Sequence, residues 1–437
     1  MAEKKFSELT AKGATIADTD LVAISESAGG GSYVSKRVTG ANIKALVTDA
    51  NLTTTDITTN DVSTTKHGFA PKLPGNTTTF LRGDGTYATP AAGGLTEFTE
   101  AETTAAPNAT VAVNSLTPVA GTTNADFAIV PKGTGAILAD IPDNTTAGGD
   151  KRGANALDLS TKRSAANQVA SGASSIVLGE NARASGSNTI AIGLGGSGAL
   201  ATSESVAIGR WTTASGNQSF SSGSRCDATG LSSVSIGGYQ YGATTASGES
   251  SFASGGATAS GNFSLAIGPG NIASGNHSVA TGTNSHTFGI IGRQAHSAGV
   301  EATQGDSQAS KFILRERTTG NTATTLTSDS NAGGANNQVI LSNQSAYRFK
   351  GSIVGKQSGS VNAAVWDIDG FIVRGANAAS TTLNVSNVTL IQNTPAWGTP
   401  TLAADTTNGG LRVQVIGAAT TNIQWTCTIE TTEVIYA

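Results

Sequence analysis

Charged side chains are scarce in this sequence. Lys, Arg, Asp and Glu make up 13% of its 437 residues, about half the usual globular share. The 26 basic and 30 acidic residues form no long run of one sign, so the clustered Lys and Arg of a nucleic-acid face are missing and no nucleic-acid partner is expected. There are only two cysteines, Cys226 and Cys427, far apart in different kinds of sequence. No disulfide framework can therefore be inferred, and two reduced structural thiols are expected. No segment approaches the roughly 18 consecutive apolar residues of a membrane-spanning helix. The opening "MAEKKFSELTAKGATIADTD" also lacks the apolar core of a secretory signal. Synthesis and assembly in the cytosol are expected, without membrane insertion.

What is abundant is glycine, at 55 residues, nearly twice the usual number, together with Ala, Ser and Thr. One phrase, typified by "ASGNFSLAIG" at 259–268, recurs eight times. Its final glycines are Gly179, Gly193, Gly209, Gly223, Gly237, Gly255, Gly268 and Gly282, spaced by fourteen residues apart from two insertions and one shorter step. Fourteen residues are too few for a helix pair. They suit a coil of two short strands joined by turns, which must stack on its neighbours to bury anything.

The columns of the repeat alternate. Position six is always Ser or Thr, position seven is large and apolar (Ile176, Ile190, Val206, Phe220, Val234, Phe252, Leu265, Val279), and position eight is mostly small. This is the period-two pattern of a strand with two unlike faces. The large residues are assigned to the coil's own core. The small ones, Ser175, Ala191, Ser205, Ala207, Ser264, Ala266, Ser278 and Ala280, are assigned to a face for close packing against other chains. A monomeric solenoid with a plain surface is the alternative.

"ASGSNTIAIG" and "ASGNFSLAIG" resemble the head repeat of trimeric autotransporter adhesins. The resemblance covers 170–282 and implies a left-handed parallel β-roll, trimeric about an axis along the stack. The flanks resemble a different class. "FSELTAKGATIADTDLVAI" with "SKRVTGANIKALV", then "TKHGFAPKLPGNTTTFLRGDGTYATP", and "NADFAIVPKGTGAILADIPD" with "GGDKRGANALDLSTKR" look like tail fibre sequence of tailed bacteriophages. So do "LRERTTG" and "NNQVILSNQSAYRFKGSIVGKQ" near the C-terminus. Read from residues alone, 21–24 is a short strand, a short helix follows Gly40, and the Asp-Gly and Pro-Gly steps of 65–90 are tight turns. Residues 127–130 and 136–138 are expected to pair as a hairpin. In the last 130 residues, Ile423, Trp425, Cys427 and Ile429 alternate with polar residues. Leu411–Val415 and Trp366–Ile368 do the same, which predicts a β-sandwich.

Catalytic and metal motifs are thin. The acids of the repeat region, Glu180, Glu204, Asp227 and Glu249, fall on no repeated strand position. Asp367 and Asp369 share a strand face at i and i+2, which makes them neighbours and candidates for the two carboxylates of a glycoside hydrolase, but that face also reads as a solvated one opposite Trp366 and Ile368. His67, His277, His286 and His296 show no metal-ligand spacing. "GTGAILAD" lacks the Lys and hydroxyl ending of a phosphate loop. No metal or cofactor is expected. Sugar binding needs only aromatic faces ringed by amides and hydroxyls, and Trp397, Tyr239, Tyr241 and Trp211 are the exposed-aromatic candidates.

The sequence thus predicts an all-β, elongated homotrimer. Its segments are a small mixed N-terminal attachment domain (1–50), a turn-rich connector (51–94), a β-rich shaft (95–165), the left-handed parallel β-roll of 14-residue repeats (166–300) and a C-terminal β-sandwich tip (301–437). The flank resemblance implies a virion tail fibre, assembled in the host cytoplasm and docked on a phage tail or baseplate protein. It would adhere to a host surface glycan or outer-membrane receptor. A tail spike depolymerase and a purely structural fibre are the competing expectations.

Overall fold

The computed structural model describes residues 17–27, 30, 33–45, 79–89, 98–103, 113–118, 128–193, 198–238 and 242–436. The chain divides into two compact units, Met1–Ala128 and Ile129–Ala437. In the first, Leu21–Ser27 pairs antiparallel with Tyr33–Thr39, and the helix Gly40–Ala45 follows. Thr39 caps that helix by accepting from the Asn42 amide at 3.2 Å. The Asp84-Gly85 turn closes a small hairpin between Phe80–Leu81 and Tyr87–Ala88. Leu46, Val47 and His67 lie outside the described residues.

The second unit is built on the repeat. Each phrase contributes a strand to a long parallel stack, and the residues between phrases contribute a shorter strand to a second stack of seven. The register is in phase: Ala191 faces Ala207 and Gly193 faces Gly209, coil upon coil. The stack exceeds the eight phrases. It begins with Ile137–Leu138 on Leu157–Leu159, paired in parallel, and ends with Gln294–Ser297. The expected hairpin is therefore not formed: 137–138 pairs forward with 157–158, Ile129 and Val130 are exposed and strandless, and Phe127 lies outside the described residues.

The two faces of the repeat are the reverse of those expected. Ser175, Ala191, Ser205, Ala207, Ser264, Ala266, Ser278 and Ala280 are not on a surface for other chains. Each is 2% exposed or less within its own coil. Facing them from the second stack is a column of seven alanines, Ala184, Ala201, Ala214, Ala228, Ala246, Ala259 and Ala273, all at 0%. The large residues point outward: Ile190, Val206 and Leu265 are half-buried, and Ile236 and Ile267 are exposed. The reason is the size of the coil. Two strands of two to five residues, joined by tight turns, enclose a slot that takes a methyl or hydroxymethyl group from each side.

The turns follow from the same closeness. At the third phrase position, a Cβ on Gly172, Gly216 or Gly261 would collide with the carbonyl of the glycine one coil on. In some coils the hydroxyl at position six ties the turn from within: Ser175 donates to Gly172 O at 2.7 Å, Thr189 to Gly186 O at 2.8 Å and Ser251 to Gly248 O at 2.7 Å. Position ten adopts positive φ in seven of the eight copies, which favours glycine.

Buried ion pairs close the slot at both ends. Asp158 stands in the inward column, in register with Val177. Arg152 meets it at 2.7 Å and Arg163 lies 3.9 Å away, all fully or nearly buried. At the far end Arg293 pairs with Glu433, which also accepts from Gln308 at 2.9 Å. The last coil strand then passes its edge to Ser307–Thr318, antiparallel. That strand belongs to a five-stranded antiparallel region in the order 381–393, 363–374, 345–357, 423–435, 307–318. A four-stranded sheet built on Gly410–Ile416 packs over it. Trp366, Trp425, Phe349 and Leu314 meet Leu411, Val413 and Val415 in one core, which is the expected sandwich. Both cysteines are buried and free.

Two outcomes follow. Ala207→Leu overfills the slot and lowers stability by about 1–3 kcal/mol, whereas Ala207→Ser, matching Ser221 and Ser235 in the same column, is tolerated; thermal or denaturant unfolding reads the difference. His286 gives a pH dependence. Burial, then the charge of Arg293, lowers its imidazole from 6.5 to about 4. The neutral ring is thus favoured in the fold, so its contribution is complete above about pH 6.5 and lost as pH falls toward 4. The melting temperature is expected to drop across that window, and less steeply in His286→Gln.

Candidate functional site

With the strand interiors closed, side chains able to meet a ligand stand at the corners of the coils and on the outer faces. At the corner leaving the first stack, position twelve is Asn181, Trp211, Arg225, Gly270 or Asn284 in five of the coils, all at positive φ, and Ala257 in the shorter one. Asn and Gly suit that conformation. Trp and Arg do not, at a cost of about 1–2 kcal/mol each. Trp211 is half-buried at φ 55°. The Arg210 guanidinium lies over its ring, 3.7 Å from the centroid, and that of Arg225, one coil on, lies at 5.3 Å. Both arginines are exposed. Arg225 N donates to Arg210 O at 3.0 Å, which fixes the two coils' corners together.

The opposite corner carries an aromatic pair that the sequence reading passed over. Phe263 and His277 occupy position five of successive phrases and stack with ring centroids 5.2 Å apart and planes 4° from parallel. Beside them Asn262 N donates to Asn276 Oδ1, and Glu249 N to Asn262 Oδ1, both at 3.1 Å. The signal was present in the columns: position five is otherwise Ser, Asn, Gln or Glu.

The other candidates separate. Trp397 is not an exposed aromatic. It is 6% exposed and sits edge-on to Trp425 at 5.5 Å. Asn393 folds the loop inward by accepting from Trp397 N at 2.9 Å and donating to Trp397 O at 2.8 Å. Tyr239 and Tyr241 lie outside the described residues. Trp211 alone of the four tryptophans keeps partial solvent access; Trp366 and Trp425 are in the core, as expected.

Asp367 and Asp369 do share an outward face, over a depression also lined by Lys311, Lys350, Ser352 and Glu430. Each carboxylate is engaged. Asp367 accepts from Ser352 Oγ at 2.7 Å, Asp369 from Arg348 at 3.1 Å and Asn387 at 3.2 Å, and Glu430 pairs with Lys350 at 3.3 Å. A wider groove of about 610 Å³ lies where the last coil meets the sandwich, with Thr281, Gln294, His296 and Arg348 on its walls. These groups can hold hydroxyls and charges of a ligand. Among the described residues, no three His, Cys, Asp or Glu side chains converge as a metal site, and no helix is long and apolar enough to cross a membrane.

The family described as YadA head domain repeat matches in two copies, over residues 170–195, 203–225 and 259–285. The chain thus carries YadA head repeats, folded as a β-roll. No curated protein matches it. Among solved structures it is similar to the tailspike protein gp49 from Acinetobacter baumannii bacteriophage Fri1, a capsular polysaccharide depolymerase, at 10% identity and a TM-score of 0.21 over 68% of this chain and 52% of that one. It is also similar to the tailspike protein of the Acinetobacter phage vB_ApiP_P1, at 13% identity and 0.20 over 69% and 51%. A third match, the tailspike of Acinetobacter baumannii phage AM24, has 12% identity and a TM-score of 0.16 over 68% and 52%. The chain spans about half the length of these structures.

Because Trp397 is a core residue, Trp397→Ala is expected to cost about 3–5 kcal/mol of stability, which denaturant unfolding checks.

Proposed function

We propose that this protein is a tail fibre or spike of a tailed bacteriophage, part of the virion, that attaches to a host cell by binding a surface glycan. The observation that carries the reading is the β-roll itself: a stiff stack whose interior is spent on methyl groups, whose corners present aromatic, guanidinium and amide groups, and whose far end passes into a sandwich. Tail fibre-like sequence on both sides of the repeat supports the phage setting. In this reading the N-terminal unit docks on a tail or baseplate protein.

A homotrimer belongs to the same proposal. The outward columns of the first stack, including Ile190, Val206 and Leu265, are too apolar to stand in water along the whole stack. Ile236 at 38% and Ile267 at 44% exposure continue them. Three chains with these columns turned to a common axis remove them from water. They also place three copies of each corner on one particle, so that weak sites act together.

The experiment is to label the purified protein, apply it to susceptible and resistant cells, and measure its mass in solution. Staining of susceptible cells, competition with virion adsorption and a mass three times that of the chain are expected. A protein that neither stains nor competes is a purely structural fibre, and a monomer removes the trimer. The carboxylates Asp367, Asp369 and Glu430, gathered over one depression, favour a depolymerase as the second reading. It requires reducing ends to appear when host polysaccharide is incubated with the protein, and to disappear with Asp367→Asn or Asp369→Asn.

A further inference from the structure

We infer that the corner formed by Arg210, Trp211 and Arg225 is a binding site for an acidic sugar, one whose ring carries a carboxylate or a phosphate. The inference rests on the attachment reading and names the chemistry of the ligand within it.

Three observations carry it. First, among the described residues neither guanidinium forms an ion pair. The carboxylates nearest in sequence are Glu204, at position five on the opposite corner, and Asp227, which points outward from the second stack. Two exposed arginines on successive coils thus concentrate positive charge in a chain whose net charge is −4. Second, the indole holds them. With Arg210 at 3.7 Å and Arg225 at 5.3 Å from one ring, the long side chains are gathered on a shared surface before any ligand arrives. Less rotamer freedom then remains to be lost when their N–H groups bind an anion. A planar guanidinium presents paired donors that match the two oxygens of a carboxylate or phosphate. Third, the fold tolerates an unfavourable backbone here. Asn181, Gly270 and Asn284 take the same left-handed backbone in other coils, whereas these two consecutive coils place Trp and Arg there at φ 55° and 56°. Positive φ also recurs at position five of every phrase, so the backbone belongs to the repeat and the choice of Trp and Arg is what sets this corner apart. The alternative of a merely covered tryptophan needs one arginine, not two on different coils.

The site can be read with little interference, because Trp366, Trp425 and Trp397 are buried and Trp211 dominates the solvent-sensitive emission. The full-length protein is titrated with tetragalacturonate, with a glycerol-phosphate oligomer bearing sugars, and with neutral maltotetraose. Emission and calorimetry are followed in parallel so that optically silent binding is seen. At least one acidic probe is expected to give saturable binding that weakens with added salt, while maltotetraose gives none. Arg210→Gln with Arg225→Asn, chosen because Asn181 already fits the same backbone conformation, is expected to weaken that binding at least tenfold while unfolding as cooperatively as the parent. The carboxylate and phosphate arms tell the two sources apart. No saturable binding of either acidic probe at about 10 mM, an equal response to maltotetraose, or undiminished binding by the double variant overturns the site. Cell staining separates this failure from that of attachment: a double variant that stains cells like the parent removes the site and leaves the function, whereas a parent that never stains removes the function.

Discussion

The constraint on which the rest of the structure depends is the width of the coil. Once two short strands are joined by turns of one to six residues, the space between them admits a methyl from each side. The alanines at position one and the alanines and serines at position eight follow from that width. So do the third-position glycines, where backbone meets backbone between coils, because sheets this close leave the turns no room to bulge. The apolar effect is therefore divided in an unusual way. Each coil buries many small contacts inside and keeps its large side chains for the exterior, so a single chain satisfies its backbone but leaves its best hydrophobic surface half exposed.

A slot this narrow needs closing at its ends, beyond which the second stack does not extend. At the N-terminal end Asp158 takes the place of an alanine in the inward column, and Arg152 and Arg163 surround it. At the C-terminal end Arg293 and Glu433 do the equivalent work together with Gln308. A buried pair of this kind is weak as a source of stability but costly to break. Its role here is to terminate the slot without presenting bare methyl groups or unpaired backbone to water. The second pair also joins residues 140 positions apart, binding the last coil to the final strand of the sandwich. The continuous sheet from coil to sandwich therefore has a side-chain lock behind its backbone hydrogen bonds.

Much of this was legible in the sequence. The repeat, its period, its turns, the alternation in the last 130 residues and the short strand and helix near the N-terminus are local patterns that survive as structure, whereas the expected hairpin gave way to the pairing of 137–138 with 157–158. The direction of the faces was not legible, because alternation tells that two faces differ but not which one is inside. Large apolar residues were assigned inward by the ordinary rule, and the rule fails where the enclosed space is smaller than the side chain. The alanine at position one held the missing clue: a second strand lined only by methyl groups cannot oppose a row of isoleucines. Trp397 misled for a related reason. Flanking prolines suggest an exposed loop, but the fold-back made by Asn393 is a tertiary contact without a periodic signal. The stack's early start at Ile137 was hidden because its first two coils do not repeat the phrase.

The corner residues show where a repetitive fold leaves room for variety. Strand positions are committed, inward to the slot and outward to the apolar columns, so substitutions there are felt by every neighbouring coil. Corners are different. Each needs only a residue that accepts the left-handed backbone, and the cost of a poor choice is about 1–2 kcal/mol, confined to one coil. Within a stack of many coils that sum is small enough for a few corners to carry Trp, Arg, Phe or His instead of Asn or Gly. The regular stack supplies rigidity and spacing, and departures from its pattern supply the chemistry. The repeated phrase, which has almost no titratable group of its own, thereby sets arginines, an indole and an aromatic stack at fixed places along the coil.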